Sequence, residues 1–421
     1  MTDDLLAHVQ QLQFTDRRAA EKLLVPFLRE AFPLDVRSVT LRPLAVSLNS
    51  FNGFASLADG SQVFFKTHIE ADGVIDEYYN ADLLHQAGYN VLQPRHVSRQ
   101  VGRQILVYPM IDCPSVFDAA WSIETGELPW DDRLLAAQHQ TDARLYTIYH
   151  STLREQSAVD AARAPIHQLF YHRLTGGRLD RFYGDGTQIT WQGEAIAMHA
   201  VRSARWVING RAYTDTLDDL IAKAIVLLDP VRSGAAVVGH GDAHNGNVFY
   251  CADHAELTYF DPAFAGTHDP LLDLTKPLFH NVFAMWMYHP RWFEERMSLT
   301  VSREGQLWRV DHDYVPHPIR TQFLQSKVAR VLAPTLALLK MRGLLRPDWH
   351  ATLKSALLCC PLLTMNLTDR ARFPESIALL GLAYAVEMGS SADGVLNAID
   401  HALAMAETMP SSNADTSANS P

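Results

Sequence analysis

The chain has little cysteine and too little positive charge for its length. Four of its 421 residues are Cys, and 36 Lys and Arg stand against 47 Asp and Glu, a formal net charge of −11. That balance argues against nucleic-acid or anionic-membrane partners, since both select a basic surface. Cys113, Cys251, Cys359 and Cys360 show no framework spacing and read as free thiols in a reducing compartment. The most apolar stretch, residues 356–363, is far too short to span a bilayer and contains Pro361. Met1 to Leu5 carry neither the basic nor the apolar part of a signal peptide, so a cytoplasmic location is expected. No internal repeat is visible. What is present is a globular composition, 48% hydrophobic and 20% charged, long enough for two lobes and a large core.

The periodicity changes along the chain. Leu5, Leu6, Val9 and Leu12, then Leu23, Leu24, Phe27 and Ala31, recur at helical spacing and predict a helical cap over 1–35, with Pro26 a point of bending. From Val36 alternation takes over. Residues 36–41, 54–57 and 62–66 read as strands, the last two joined at Asp59-Gly60 as a hairpin with a primed turn. A helix over about 73–87, closed by Gly88, and strands near 90–92 and 104–108 complete a small lobe over 36–108. Helices are expected over 130–153 and 217–228. Between them, residues 165–215 form an aromatic-rich insert with short hairpins at Trp191-Gln192-Gly193-Glu194 and Val207 to Arg211. Everything after Asp273 reads as helical to about residue 408, and 409–421 as a disordered tail.

The most informative stretch is Val238-Gly239-His240-Gly241-Asp242-Ala243-His244-Asn245-Gly246-Asn247, followed by Tyr259-Phe260-Asp261-Pro262. A strand ends in a turn carrying Asp242. Asn247 follows five positions later and leads into the strand 248–250. The returning strand 257–260 ends in Asp261. Such a hairpin brings Asn247 and Asp261 together, and two oxygen ligands of this kind suit Mg²⁺. Asp242 is left to face a cleft. His240 and His244 lack the Cys or third His of a zinc site and are read as loop braces. The plain alternative is a strand-turn-strand hairpin with polar turn residues.

These motifs resemble the catalytic and metal loops of the protein-kinase-like fold, in the form used by aminoglycoside phosphotransferases and choline-kinase-like small-molecule kinases. The resemblance implies an α+β, two-lobed architecture: a small mixed-strand nucleotide lobe at 36–108 and a large, mainly helical catalytic lobe at 109–408. It implies transfer of the γ-phosphoryl group of ATP or GTP to a hydroxyl of a small molecule, with Mg²⁺ held by Asn247 and Asp261 and the hydroxyl met by Asp242. Lys66 is then the lysine that orients the α- and β-phosphates, with Glu77 as its partner and Glu70 or Asp76 as competitors. The loop before the second strand lacks a GxGxxG set; the side chains of Ser47, Asn49, Ser50 and Asn52 and backbone N–H groups are the candidates to cover phosphates. Tyr108 to Asp112 is the expected hinge, with Tyr108 and Met110 near the base. Asp273, with Asp269, is expected to cap the next helix. An amine- or sugar-containing acceptor, touched by Trp191 and Trp206 of the insert, is the expected partner. Two alternatives stay open: a nucleotide-binding pseudokinase, and an enzyme that activates a carboxylate by phosphorylation.

Overall fold

A computed structural model describes residues 5–42, 51–67, 80–98, 100, 102–391 and 396–409. The chain divides into two compact units, Met1–Asp82 with Val91–Cys113, and Leu83–Asn90 with Pro114–Pro421. Mixed strand and helix in the first and predominant helix in the second make the chain α+β.

The first unit is built on strands β1 (Val36–Leu41), β2 (Asn52–Leu57), β3 (Gln62–Thr67), β4 (His96–Ser98) and β5 (Ile105–Pro109). They form one antiparallel sheet in the order β1-β2-β3-β5-β4. Alternation along β3 buries Val63 and Phe65 and leaves Phe64 and Lys66 on the other face. The helices Leu5–Thr15 and Arg17–Ala31 are no separate cap. Leu6, Val9, Leu24, Phe27 and Leu28 share a single core with Val36, Val39, Phe51, Phe65 and Val107. Asp16 starts the second helix by accepting from Ala19 N (3.0 Å), and Pro26 lies inside it without splitting it. The turn at Asp59-Gly60 differs from the primed form. Only Gly60 has positive φ (87°), and Gly60 N returns to Leu57 O, a type I turn followed by a left-handed glycine. The helix before Gly88 is described over Asn80–Ala87. Ser47, Asn49, Ser50, Glu70, Asp76 and Glu77 lie outside the described residues, as does the tail from 410.

In the second unit the expected long helix runs Asp132–Thr152 and leads to β6 (Arg154–Gln156). The insert then supplies the hairpin of β7 (Gln188–Trp191) and β8 (Glu194–Ala197), and that of β9 (Arg205–Ile208) and β10 (Arg211–Tyr213). Each turns through a pair at positive φ, Gln192-Gly193 (51°, 80°) and Asn209-Gly210 (48°, 76°), as a two-residue primed loop requires. The helix Leu217–Leu227, opened by a Thr216/Asp219 capping box, delivers the chain to β11 (Gly234–Gly239). After it come the short pair β12 (Val248–Phe249) and β13 (Thr258–Tyr259), then β14 (Gly266–His268).

The wholly helical reading beyond Asp273 needs correction. Strands β15 (Leu299–Glu304) and β16 (Leu307–His312) form a hairpin through Gly305 (φ 62°), and β16 pairs in parallel with β9 to give the sheet β10-β9-β16-β15. The alternation Leu307, Arg309 against Trp308, Val310 is strand-like, and Trp308 and Val310 are the buried side. The long pattern 323–339 is a helix interrupted by a π turn at Val328–Leu332, just before Pro334, which has no N–H to give the helical ladder. The helices Trp349–Leu363 and Glu375–Gly389 are buried along nearly their whole lengths. Cys359 and Cys360 are buried free thiols, whereas Cys113 and Cys251 are disulfide-bonded, against the expectation of four free thiols. Among the described residues, no helix is long and apolar enough to cross a membrane.

Candidate active site

Two loops, 240–247 and 260–265, are fixed at both ends by strand pairing. Gly239 of β11 pairs with Gly266 of β14 at one end, and Val248 of β12 with Tyr259 of β13 at the other. The frame holds Asp242, Asn247 and Asp261 in one neighbourhood. Asn247 O accepts from Phe260 N (2.8 Å), which sets Asn247 beside the residue that precedes Asp261. Asn247 Nδ2 donates to the carbonyl of Asp242 (2.9 Å). That bond fixes the amide orientation, since only the nitrogen can donate, and leaves Oδ1 for another partner. Asp261 is held at φ 54°, a left-handed conformation that a non-glycine residue rarely adopts.

His240 is buried and ties the two loops together. Its Nδ1 accepts from Asp242 N (3.4 Å), so Nε2 carries the proton and donates to Phe260 O (3.0 Å). Burial lowers its pKa, against the pull of Asp273 and Asp242, and keeps the ring neutral. His244 accepts from Gly246 N through Nδ1 (3.1 Å) and turns Nε2 toward Asp242 Oδ1, 4.0 Å away.

Asp273 differs from its expected role. Asp269 is the cap of the helix Pro270–His280, accepting from Leu271 N (2.8 Å). Asp273, buried in that helix's first turn, braces the 240–247 loop instead. It accepts from Gly241 N and Tyr149 OH, and His268 Nε2 lies 3.0 Å from its Oδ1. Burial alone would raise its pKa, but these donors outweigh burial and hold the carboxyl below the usual range. Two glycines make the approach possible. A Cβ on Gly239 would lie 2.6 Å from the Asp273 carboxyl carbon, and one on Gly241 (φ 81°) would strike the carbonyl oxygen of Phe264.

The same helix contributes a residue that motif reading missed. Lys276, buried, places its ammonium 3.7 Å from Asp242 Oδ1, an atom that otherwise has no hydrogen-bond partner. Burial would raise the Asp242 carboxyl; Lys276 first, then His244, Arg173 and His240, reverse this and hold it below the ordinary range. Lys276 itself is lowered, because burial and the charge of Arg173 outweigh the attraction of Asp242. Both groups are lowered; for Asp242 this favours the charged form, which Lys276 and Arg173 hold in place. The sequence signal was a lone Lys in a helix whose every residue from Pro270 to His280 is buried.

The remaining expectations fare unequally. On β3, Lys66 pairs with Asn52 across β2, so those two candidates are cross-strand neighbours. Tyr108 is buried on β5 and packs on Phe64, while Met110, just beyond the strand, is exposed. Trp206 offers no face to a ligand. It is fully enclosed and stacks on Trp308 (5.9 Å, 17°), so the aromatic content of the insert is in large part its own core. Trp191, half-buried, meets Trp308 edge-on (6.5 Å, 71°).

Asn247 and Asp261 supply an amide oxygen and a carboxylate, the hard donors that Mg²⁺ prefers, and the orientation of the Asn247 amide fits that use. Among the described residues there is no group of three or more His, Cys, Asp or Glu that could enclose a metal. An ion here would complete its shell with phosphate and water, as Mg²⁺ commonly does.

With this geometry in view, the chain is similar in fold to solved small-molecule kinases. An amicoumacin kinase, solved with AMP-PNP, Ca²⁺ and amicoumacin, is 13% identical, with 90% of this chain and 94% of that one covered and a TM-score of 0.48. An ethanolamine kinase of Plasmodium vivax is 8% identical (90% and 93% covered, TM-score 0.44). A spectinomycin phosphotransferase, solved with ADP and spectinomycin, is 13% identical (87% and 98% covered, TM-score 0.40). No family model and no curated protein matches the chain. At such identities the acceptors of those proteins say nothing about the acceptor here.

Proposed function

We propose that the protein transfers the γ-phosphoryl group of a nucleoside triphosphate, ATP or GTP, to a hydroxyl group of a small molecule. The observation that carries this reading is the frame itself. Two strand pairs hold Asp242, Asn247 and Asp261 together, with Lys276 3.7 Å from an Asp242 oxygen that makes no hydrogen bond. A hairpin with merely polar turn residues has no reason to keep a carboxylate half-desolvated, ionised and unpaired by hydrogen bonds.

In the reaction, an acceptor oxygen forms a bond to the γ-phosphorus as the bond to the β,γ-bridging oxygen breaks, and the nucleoside diphosphate leaves. Asp242 accepts a hydrogen bond from the hydroxyl, orients it in line and takes its proton as the new ester forms. Lys276 keeps Asp242 ionised and places a positive charge where negative charge gathers. Asn247 and Asp261 would hold Mg²⁺, which would supply positive charge to offset that of the phosphates. Lys66 orients the α- and β-phosphates, with Asn52 alongside; Tyr108 and Met110 are assigned to the base. His240 and His244 keep the loop in shape.

The test is in two parts. ATP with Mg²⁺ should raise the melting temperature of the wild type, and Asp261→Ala should abolish the metal-dependent share of that rise. Asp242→Asn should retain the rise and lose about 10²–10⁴-fold in turnover. A product stable to hydroxylamine is expected of a phosphate ester; conversion to a hydroxamate would show carboxylate activation instead. Metal-independent stabilisation, identical in wild type and Asp261→Ala, would defeat the reading.

A further inference from the structure

The charges on the acceptor side of Asp242 do not balance. Arg173, on the short helix Tyr171–Thr175, is half-buried and lies near Asp242, Cys360, Cys359 and Tyr288. It makes no side-chain hydrogen bond or ion pair among the described residues. Arg372 also lies near Tyr288, and its Nε is buried with no hydrogen-bond partner. Among the described residues, neither guanidinium forms an ion pair with a carboxylate. Glu375, the nearest acid in sequence beyond Arg372, pairs with Arg370 (2.8 Å). Lys276 adds a third cation, and Arg178, bonded to Leu363 O (3.2 Å), feels the charge of Arg173 as well.

Neutral polar groups lie near these cations. Tyr288 OH and His280 Nδ1 are 2.9 Å apart, Thr364 Oγ1 is 3.4 Å from His280 Nε2, and the His280 ring is 5.8 Å from that of His244. Burial, then the nearby Lys276, pushes His280 well below its ordinary pKa, so it adds no charge. Among the described residues, Asp242 is the carboxylate that lies against Lys276 and near Arg173, while Arg372 shares the neighbourhood of Tyr288. An amine-bearing acceptor would enter a surplus of like charge and leave both arginines without a counter-ion, an expensive arrangement for half-buried cations.

We propose that the acceptor carries an anionic group, a carboxylate or a phosphate, and that Arg173 and Arg372 receive it beside Tyr288 while its hydroxyl meets Asp242. This rests on the phosphoryl-transfer reading and replaces the amine expected from the sequence. Planar guanidinium forks match both anions bidentately, which gives orientation as well as affinity.

The test uses one scaffold with four charges: gluconate, glucose 6-phosphate, glucose and glucosamine, with inorganic phosphate as the minimal probe. Each is titrated calorimetrically into the full-length protein, with and without saturating Mg²⁺ and AMP-PNP. An anionic probe should bind at least about 10-fold tighter than glucose or glucosamine. Arg173→Gln and Arg372→Gln should each weaken it by about 10- to 100-fold, the range for a charge-assisted hydrogen bond, without changing AMP-PNP affinity. Preference for gluconate or for glucose 6-phosphate tells carboxylate from phosphate. Preference for glucosamine, equal affinity for the neutral sugar, failure of every anion to bind, or anion affinity unchanged in both variants would overturn the proposal. Loss of Mg²⁺-dependent AMP-PNP binding would instead defeat the kinase reading, and the titrations without nucleotide would still decide the anion site.

Discussion

Removing the Lys276 ammonium tests whether it and Asp242 act as one unit. At 3.7 Å and an effective dielectric of about 20, two unit charges interact by about 4 kcal/mol. Both side chains are largely sheltered, 4% and 16% exposed, so solvent screens only part of this. Lys276→Met keeps the length and most of the volume of the stem and deletes the charge. The single variant should lose about 2–4 kcal/mol at neutral pH, because it leaves a buried carboxylate without its principal counter-ion. The sign of the pH dependence follows. In the wild type, Asp242 lies below the ordinary carboxylate range, so its contribution is present above about 3.8 and lost below it. In Lys276→Met, burial is less opposed and the pKa rises, so the carboxyl takes up a proton at higher pH than in the wild type. The penalty therefore shrinks on acidification. Lys276→Met combined with Asp242→Asn should recover most of the lost stability, giving a coupling energy of about 2–3 kcal/mol at pH 7.5 in a urea-unfolding cycle. A coupling below about 0.5 kcal/mol, or a penalty independent of pH between 5 and 7.5, would refute the pairing.

Three further outcomes follow from the packing. Asp273→Asn should destabilise by about 2–4 kcal/mol in urea unfolding, because one amide oxygen cannot serve Gly241 N, Tyr149 OH and His268 together; a loss under about 0.5 kcal/mol would remove its bracing role. Glu387, buried and accepting from Tyr213 OH (3.1 Å), is pushed from 4.5 up to about 7 by burial, so its favourable share is complete below 4.5 and lost as pH rises through 7. Glu387→Gln should gain on the wild type by up to about 3 kcal/mol between pH 4.5 and 8, read as a widening difference in Tm; a constant difference would contradict the burial argument. Trp206→Ala should cost about 3–5 kcal/mol through the cavity left against Trp308 while leaving the acceptor KM unchanged, and a raised KM with intact stability would return Trp206 to the acceptor site.

The parts legible in the sequence were those with local chemistry. The Asp242 loop, the Asn247–Asp261 hairpin, the two Gly-containing turns of the insert and the alternating strands of the first unit are all written within a few residues. What was hidden depends on long-range placement. Lys276 lies in an apolar helix 34 residues beyond Asp242, and only the burial of the whole helix shows that its charge needs a partner. Trp206 and Trp191 look alike in sequence, yet one is enclosed and the other is not, because enclosure is decided by the distant strand β16. The β15–β16 hairpin was passed over because it lies between helices, although its alternation is clear once it is treated as a strand. The arginine pair required knowing what was missing around it.

The Asp273 carboxylate also has a consequence for how the chain matures. Its partners lie 124, 32 and 5 residues away along the backbone, on the helix Asp132–Thr152, in the Asp242 loop and on β14. None of these segments can be released from it without leaving a desolvated charge or an orphaned donor. The Asp242 loop therefore reaches its working shape only after the helix at 270–280 has docked against chain made more than a hundred residues earlier. A nascent or partly opened chain would have Asp242, Asn247 and Asp261 scattered. Under the proposed phosphoryl transfer, turnover would then be a readout of complete assembly.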